Sequence, residues 1–379
     1  MIEIPRLIAA LREKVCGGEG IAYGELTDGE LKALYSLAKS QDLAHIAAAA
    51  LKDVLAERDP QIKKAFEQAR LLASYRYVNI NSELRQICTA LEEKGIRYMP
   101  LKGSIIRSYY PSPEMRTSCD IDILVPVEDV DAAADYLVSE LDYTFERRCS
   151  HDVSLYSPSK VHLELHFDLI EDNERVAAVL ADIWDRASVD GCRYNMTNEH
   201  FTVYHIAHMA EHYVHGGCGV RNFLDLYIAK HKMGYDEAAV EKMLADCGLD
   251  KFAAAAFKLA DIWFSQGEHD ELTLEMQDYV MQAGVYGNLE NNIAVAQGNK
   301  SGIGYALSRI FMPYAKLKRY YPVLDKYPIL FPFYQVVRWV EFIFRKDKSR
   351  AFAELKHSGN VDREKQMRLK SMMDELKLI

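Results

Sequence analysis

The seven cysteines of this 379-residue chain never come in pairs: Cys16, Cys88, Cys119, Cys149, Cys192, Cys218 and Cys247 share no spacing. An odd, unpatterned set excludes a disulfide framework and reads as reduced thiols. Cys119, beside Asp120, reads as a small buried strand residue rather than a nucleophile. No apolar run is long enough to cross a bilayer without a charge. The opening Met1-Ile2-Glu3-Ile4-Pro5-Arg6 lacks a signal-peptide pattern, so a cytoplasmic location is expected. Positive charge is short as well. With 46 Lys and Arg against 56 Asp and Glu, the formal charge is −10, which argues against general nucleic-acid binding by bulk electrostatics. Internal repeats and low-complexity stretches are also lacking.

What the chain does have is apolar bulk, 49% of its residues, enough to bury a sizeable core in two or three subdomains. The patterning predicts an α+β fold, a small mixed β-sheet core flanked by N-terminal and C-terminal helical regions, with divisions at 1–94, 95–190 and 191–379. Short amphipathic helices are expected up to about Ala56. A long helix opens at Asp59-Pro60, an N-cap followed by proline in the first turn, and ends at Gly95. Its stripe is Ile62, Phe66, Ala69, Ala73, Tyr77, Ile80, Leu84, Ile87 and Leu91. Ile96 to Leu101 reads as a first strand. Val130, Ala134, Leu137, Val138 and Leu141 form a helical packing face. A strand or hairpin spans Tyr143 to Tyr156, with a turn at Ser157-Pro158-Ser159. From Asn198 onward the pattern is helical.

Three segments carry chemistry. In Asp120-Ile121-Asp122-Ile123-Leu124-Val125, period-two alternation puts both carboxylates on one face of a strand. Two oxygens so placed suit a hard cation such as Mg2+. Upstream, Leu101-Lys102-Gly103-Ser104 is a Gly-Ser turn where a helix begins and backbone N–H groups can approach phosphate. Lys102 and Arg116 are the cations available to a phosphate, Arg116 because its loop must pass the site. A third acidic position lies in Val161-His162-Leu163-Glu164-Leu165-His166-Phe167, where His162, Glu164 and His166 share a face and Leu163, Leu165 and Phe167 point to the core. If the two strands are neighbours, three carboxylates can serve a two-metal in-line displacement at phosphorus, with Glu164 as ligand, general base or both.

With these residues in view, the stretch Pro100 to Asp168 resembles an uncharacterised bacterial nucleotidyltransferase family, a branch of the polymerase-beta-like superfamily. The likeness rests on Leu101-Lys102-Gly103, Tyr110-Pro111, Arg116, the Asp120–Val125 run and Glu164-Leu165-His166. Gly219-Val220-Arg221-Asn222-Phe223-Leu224-Asp225-Leu226-Tyr227 also looks like that family. The resemblance implies transfer of a nucleoside monophosphate from an NTP to an acceptor with release of pyrophosphate. Asp120, Asp122 and Glu164 would hold Mg2+ or Mn2+, and Lys102, Gly103, Ser104 and Arg116 would bind nucleotide. The acceptor, whether small molecule, peptide, protein or RNA end, is not readable here. The connection 105–119 departs from the superfamily pattern by its length, and with Pro111 and Pro113 it is expected to be an extended loop.

A rival reading starts from His205, His208 and His212, spaced i, i+3, i+7 on one helix face. They suggest a zinc-binding hydrolase with Asp225 as a distant ligand, although the His-Glu-x-x-His order of metalloproteases is missing. The other expectation for this face is a polar wall of the cleft, with His166, His208, His212, Arg221 and Asp225 supporting the metal ligands. Arg221 and Asp225, at i, i+4, suggest an ion pair within one helix. A third reading is a nucleotide-binding protein without catalysis. Finally, residues 310–350 carry nine Lys and Arg against three Asp and Glu, with interleaved Tyr314, Tyr320, Tyr321, Phe331, Phe333, Tyr334, Trp339 and Phe342. That suits either an anionic partner or a core helix packed through Val336, Val337, Val340 and Phe344.

Overall fold

The computed structural model describes residues 3–20, 23, 26–170, 173–265, 267–297, 310–321, 323–344 and 362–379. Four helices come first: α1 (Glu3–Leu11), α2 (Asp28–Ser40), α3 (Ala44–Ala50) and α4 (Lys52–Ala56). The long α5 (Pro60–Lys94) follows. The Asp59 side chain accepts hydrogen bonds from the amides of Gln61 and Ile62, and Gly95 closes the helix at φ +68°, the left-handed conformation that glycine adopts without penalty. Of the expected stripe, Ile62, Phe66, Ala73, Ile80, Ile87 and Leu91 are buried, as is Glu83.

The five-stranded sheet has the order β1-β2-β5-β4-β3. Its strands are β1 (Met99–Pro100), β2 (Asp120–Leu124), β3 (Thr144–Arg148), β4 (Asp152–Tyr156) and β5 (His162–His166). β2 and β5 run parallel, and every other pair is antiparallel. The parallel pair needs a crossover. It is supplied by α7 (Val130–Leu141) and the β3–β4 hairpin, after the one-turn α6 (Gly103–Ile106). Ile121, Ile123, Leu155, Leu163 and Leu165 form a core with the second half of α5 and with Val130, Ala133 and Leu137 of α7. That leaves the opposite sheet face, bearing Asp120, Asp122 and Glu164, for a second layer.

That layer is helical. After α8 (Glu174–Val179), α9 (Ile183–Arg186) and a small hairpin of β6 (Ser188–Asp190) and β7 (Arg193–Asn195), the chain enters α10 (Asn198–Val214) and α11 (Val220–Ile228). Then come α12 (Glu237–Cys247), α13 (Asp250–Phe264), α14 (Glu271–Ala283) and α15 (Leu289–Gln297). Their core is continuous with α1–α3: Leu7, Leu11, Leu34, Phe66, Tyr204, Phe223, Phe252, Trp263 and Met373 belong to one apolar cluster. Met373 comes from the terminal helix Arg363–Glu375, capped by Asp362.

The α+β expectation therefore holds, with local corrections. β1 has two residues rather than six, because Tyr98 is drawn to a bridge with Arg193 of β7. Val138 is exposed on α7. The connection 105–119 is not extended: it folds into two 3₁₀ turns, Arg107–Tyr109 and Pro113–Met115, the second opened by a proline that pre-sets the φ such a turn uses. Cys119 is exposed, its Sγ 3.1 Å from the Tyr286 hydroxyl, because it precedes the strand instead of lying in it. The helix Phe331–Phe344 exists, but Val336 and Val340 are exposed, so it is not packed into the core through those residues. The side chains of Phe342 and Phe344, and residues 345–350 of the basic segment, lie outside the described residues.

Candidate active site

Parallel register places Asp122 directly beside Glu164. Ile121 and Ile123, both fully buried, anchor the other face of β2, and Leu163 and Leu165 do the same on β5. Alternation then leaves the acidic groups no choice of side. Asp120 stands at the open end of β2, partly exposed, while Asp122 is 4% exposed. His166 reaches across from β5, its Nε2 3.0 Å from Asp122 Oδ1 and 3.3 Å from Glu164 Oε2. The Lys102 ammonium lies 2.8 Å from the same Asp122 oxygen. Lys102 is thus not a side chain reaching for solvent. It is turned inward on a backbone with φ +44°, an uncommon conformation for a residue with a β-carbon, of the kind held in place at functional sites.

These contacts set the electrostatics. Burial alone would raise the Asp122 carboxyl, but Lys102 and His166 outweigh it and hold Asp122 well below its ordinary range. Burial and the charge of Asp122 push Asp120 the other way, against the pull of Lys102. For His166, burial is outweighed by hydrogen bonds to Asp122 and Glu164, which raise its proton affinity. Two neighbouring carboxylates driven apart in this way are common at functional sites.

Gly103 sits where a β-carbon would stand 3.3 Å from Arg107 Nη2 and 3.6 Å from Arg116 Nη1. The Ser104 amide already donates to the Leu101 carbonyl at 3.0 Å, so what Ser104 offers a ligand is its hydroxyl. Arg116 lines the cavity, but its guanidinium is committed. It pairs with Asp225 through Nε at 2.8 Å and Nη2 at 2.7 Å, and Tyr110 donates to the same carboxylate at 2.6 Å. Asp225 is fully buried. The expected pair between Arg221 and Asp225 does not form: Arg221 binds Asp42 Oδ2 and the Thr117 carbonyl, each at 3.0 Å. Helical spacing brings two residues near, but burial of Asp225 against the 107–117 turns gives its charge a closer partner.

Three consecutive residues just before Cys119 and β2 are consequently clamped one after another. Arg116 is held by Asp225, the Thr117 hydroxyl by Asp42 at 2.7 Å, and the Ser118 hydroxyl by Arg107 at 2.8 Å. Asp42 and Arg107 escaped sequence reasoning. Arg107 lies thirteen positions before Asp120 in a turn with no local signal, and Asp42 is 179 residues from Arg221.

The histidine face is divided. The His205 Nε2 is 3.0 Å from the Asn222 carbonyl, a partner that needs it as donor. The His208 and His212 Nε2 atoms are 3.0 Å apart, so one ring donates to the other. Burial and then Lys102 lower the proton affinity of both, that of His212 to about 4. Asp225, the distant zinc ligand of the rival reading, instead has both oxygens engaged by Arg116 and one also by Tyr110. Among the described residues, the grouping with metal-ligand spacing is Asp122, Glu164 and His166, whose donor atoms lie within 4.8 Å of one another.

All of this faces one cavity of about 520 Å³, lined by the Asp120–Asp122–Glu164 edge on one side and by His208, His212 and Arg221 on the other. Among the described residues no helix is long and apolar enough to cross a membrane. The cleft thus combines carboxylates, an imidazole and paired cations, a donor set that could hold a metal ion. The family described as uncharacterised nucleotidyltransferase matches residues 27–265, well over half of the chain, and the chain belongs to that family. Comparisons with curated proteins and with solved structures give no match. Family membership supports nucleotidyl transfer as the general chemistry, with an NTP as substrate and a divalent metal as cofactor.

Proposed function

We propose that this protein is a member of the polymerase-beta-like group that transfers a nucleoside monophosphate from an NTP to an acceptor hydroxyl and releases pyrophosphate. The observation that carries the reading is the in-register Asp122–Glu164 pair on parallel strands, with Asp120 at the mouth. Asp120, Asp122 and Glu164 would hold Mg2+ or Mn2+, and the oxygens of Asp122 and Glu164, which come within 4.8 Å of each other, fit such a cation. A cation there would neutralise phosphate charge and make the acceptor hydroxyl more acidic.

The remaining steps belong to the protein. The Ser104 hydroxyl and the backbone around Gly103 orient the triphosphate, and the Lys102 ammonium compensates charge on the departing pyrophosphate. Glu164 accepts the hydroxyl proton as the new P–O bond forms. Arg116 acts at one remove, by fixing the loop that delivers β2, and so do Arg221 and Asp225. His208 and His212 form the neutral wall opposite the carboxylates. The zinc-hydrolase reading loses support with Asp225 held by Arg116, and binding without turnover remains the outcome that would mark a non-catalytic nucleotide binder.

The test is calorimetric binding of each of the four NTPs with Mg2+ or Mn2+, comparing wild type with Asp122→Asn. Metal-dependent binding of an NTP that the variant loses is the expected result. If no NTP binds with either metal, the triphosphate reading is untenable.

A further inference from the structure

The donor set at the centre of the cleft is mixed, and a nitrogen among oxygens changes which cation it prefers. His166 is 4% exposed and shares the cleft-facing side of β5 with Glu164, two residues away. Its Nε2 is turned to both carboxylates, at 3.0 Å from Asp122 and 3.3 Å from Glu164. Its Nδ1 makes no hydrogen bond among the described residues, so the two carboxylates are the polar groups that orient the ring. Nε2 lies where the donor atoms of all three residues converge, within 4.8 Å of one another.

Mg2+ keeps oxygen ligands and binds imidazole poorly, whereas first-row transition dications accept nitrogen readily and bind N/O sites more tightly along the series from Mn2+ upward. We propose that Asp122, Glu164 and His166 form an oxygen–oxygen–nitrogen site selective for a first-row transition dication over Mg2+, and that the cation takes over the Asp122 oxygen now held by the Lys102 ammonium. This deepens the proposed function by naming the cation class, and it rests on the assignment of Asp122 and Glu164 as metal ligands in that reading. It also gives Lys102 two stations. With the cation on Asp122, the ammonium is released toward anionic groups in the same cavity. Cation and triphosphate then favour each other's binding, because each draws away a charge that opposes the other.

Mn2+ is the probe, added to the full-length protein without nucleotide. The electron-paramagnetic signal of free Mn2+ counts binding, and pulsed measurements detect a directly bonded nitrogen. The expected results are a 14N modulation on bound Mn2+ that changes to the 15N pattern in protein carrying 15N-histidine, and displacement by Mg2+ only at more than about tenfold excess. His166→Gln should abolish the modulation and weaken Mn2+ by at least about tenfold. His208→Gln should leave both unchanged, and Lys102→Met should bind Mn2+ more tightly than wild type. The labelled wild type needs no substitution, so a misfolded variant does not decide the matter. The proposal is overturned by bound Mn2+ with no nitrogen signal, by a signal that survives His166→Gln, by equal competition from Mg2+, or by no binding in both wild type and Lys102→Met. Metal-dependent NTP binding without the nitrogen signal would remove this inference and leave nucleotidyl transfer standing. Nitrogen-ligated Mn2+ without NTP binding would do the reverse.

Discussion

Asp122 and Glu164 meet through strand register, whereas Arg116 and Asp225 meet across 109 residues of sequence. The first half of the cleft is written in short periodic runs, and its polar groups are partly open to the cavity. The second half is a set of buried ion pairs between the 107–118 turns, the α2–α3 junction and α11. In the proposed function the strand half carries the chemistry, while the clamp half fixes the loop ahead of β2 through ion pairs and hydroxyl hydrogen bonds. Substitutions should separate these roles, with the larger fold effects in the clamp and the larger ligand effects in the strands.

The largest expected effect on stability is Asp225→Ala. It strands the buried Arg116 guanidinium and the Tyr110 hydroxyl, and breaking one partner of a buried pair costs about 3–5 kcal/mol. The denaturant midpoint should fall with an unchanged slope. A loss below about 1 kcal/mol, the range of an exposed pair, would mean the clamp does not hold the fold. Arg116→Met with Asp225→Leu together should cost much less than the two single changes added, because the double variant leaves no unpaired charge.

Asp42→Asn is the next sharpening. Asp42 is less buried, with 19% of its side chain exposed, and it gathers Arg76, Arg221 and the Thr117 hydroxyl. Losing its charge should cost about 1–3 kcal/mol in stability, and it should also weaken metal-dependent NTP binding, since Thr117 is three residues from Asp120. An effect on stability with none on binding would show that the loop does not transmit its position to the strand.

How much of this was legible in the sequence follows the same division. The Asp120–Val125 and His162–Phe167 alternations predict the strands, their faces and their carboxylates, because a period of two is local information. Asp59, Pro60 and Gly95 mark α5 for the same reason. Lys102 as the partner of Asp122, Arg107 behind Gly103, and Asp42 under Arg221 were not legible, since each depends on where a turn is packed. The Arg221–Asp225 spacing was read locally and misled. Helical geometry allows an i, i+4 pair worth a few tenths of a kcal/mol, and a buried bidentate contact with Arg116 outweighs it.

Acid separates the halves in another way. His205 has its proton affinity lowered by burial, and His208 and His212 by burial and then Lys102, partly offset at His212 by the charges of Asp122 and Glu164. Above the unfolded value of about 6.5 both states are neutral and the fold is at full strength. As pH falls from there toward 4, the unfolded chain takes protons that the folded one refuses, so stability declines. His166 runs opposite: its raised affinity favours folding at low pH, and that gain fades as pH rises past its folded value. His45 and His269 are lowered by burial as well, so with five lowered histidines against one raised, denaturant midpoints should drop between pH 7 and 4.5. Asp122 and Asp225, both held low, add a further loss below about pH 4. A midpoint that stays flat across pH 7 to 4.5 would mean that the histidine face is hydrated.

The smallest expected effect is the most discriminating for the strand half. Ser104 is partly exposed at the cleft, and its amide is already satisfied by the Leu101 carbonyl. Ser104→Ala therefore removes one hydroxyl and leaves the turn intact, so stability should move by no more than about 0.5 kcal/mol. If that hydroxyl meets the triphosphate, NTP affinity falls by about 1.5–3 kcal/mol, the worth of a hydrogen bond to a charged group. Mn2+ affinity measured without nucleotide should not change, because the hydroxyl is outside the Asp122–Glu164–His166 set. Loss of Mn2+ binding together with NTP binding would place Ser104 with the metal instead, and an unchanged NTP affinity would remove it from the nucleotide site.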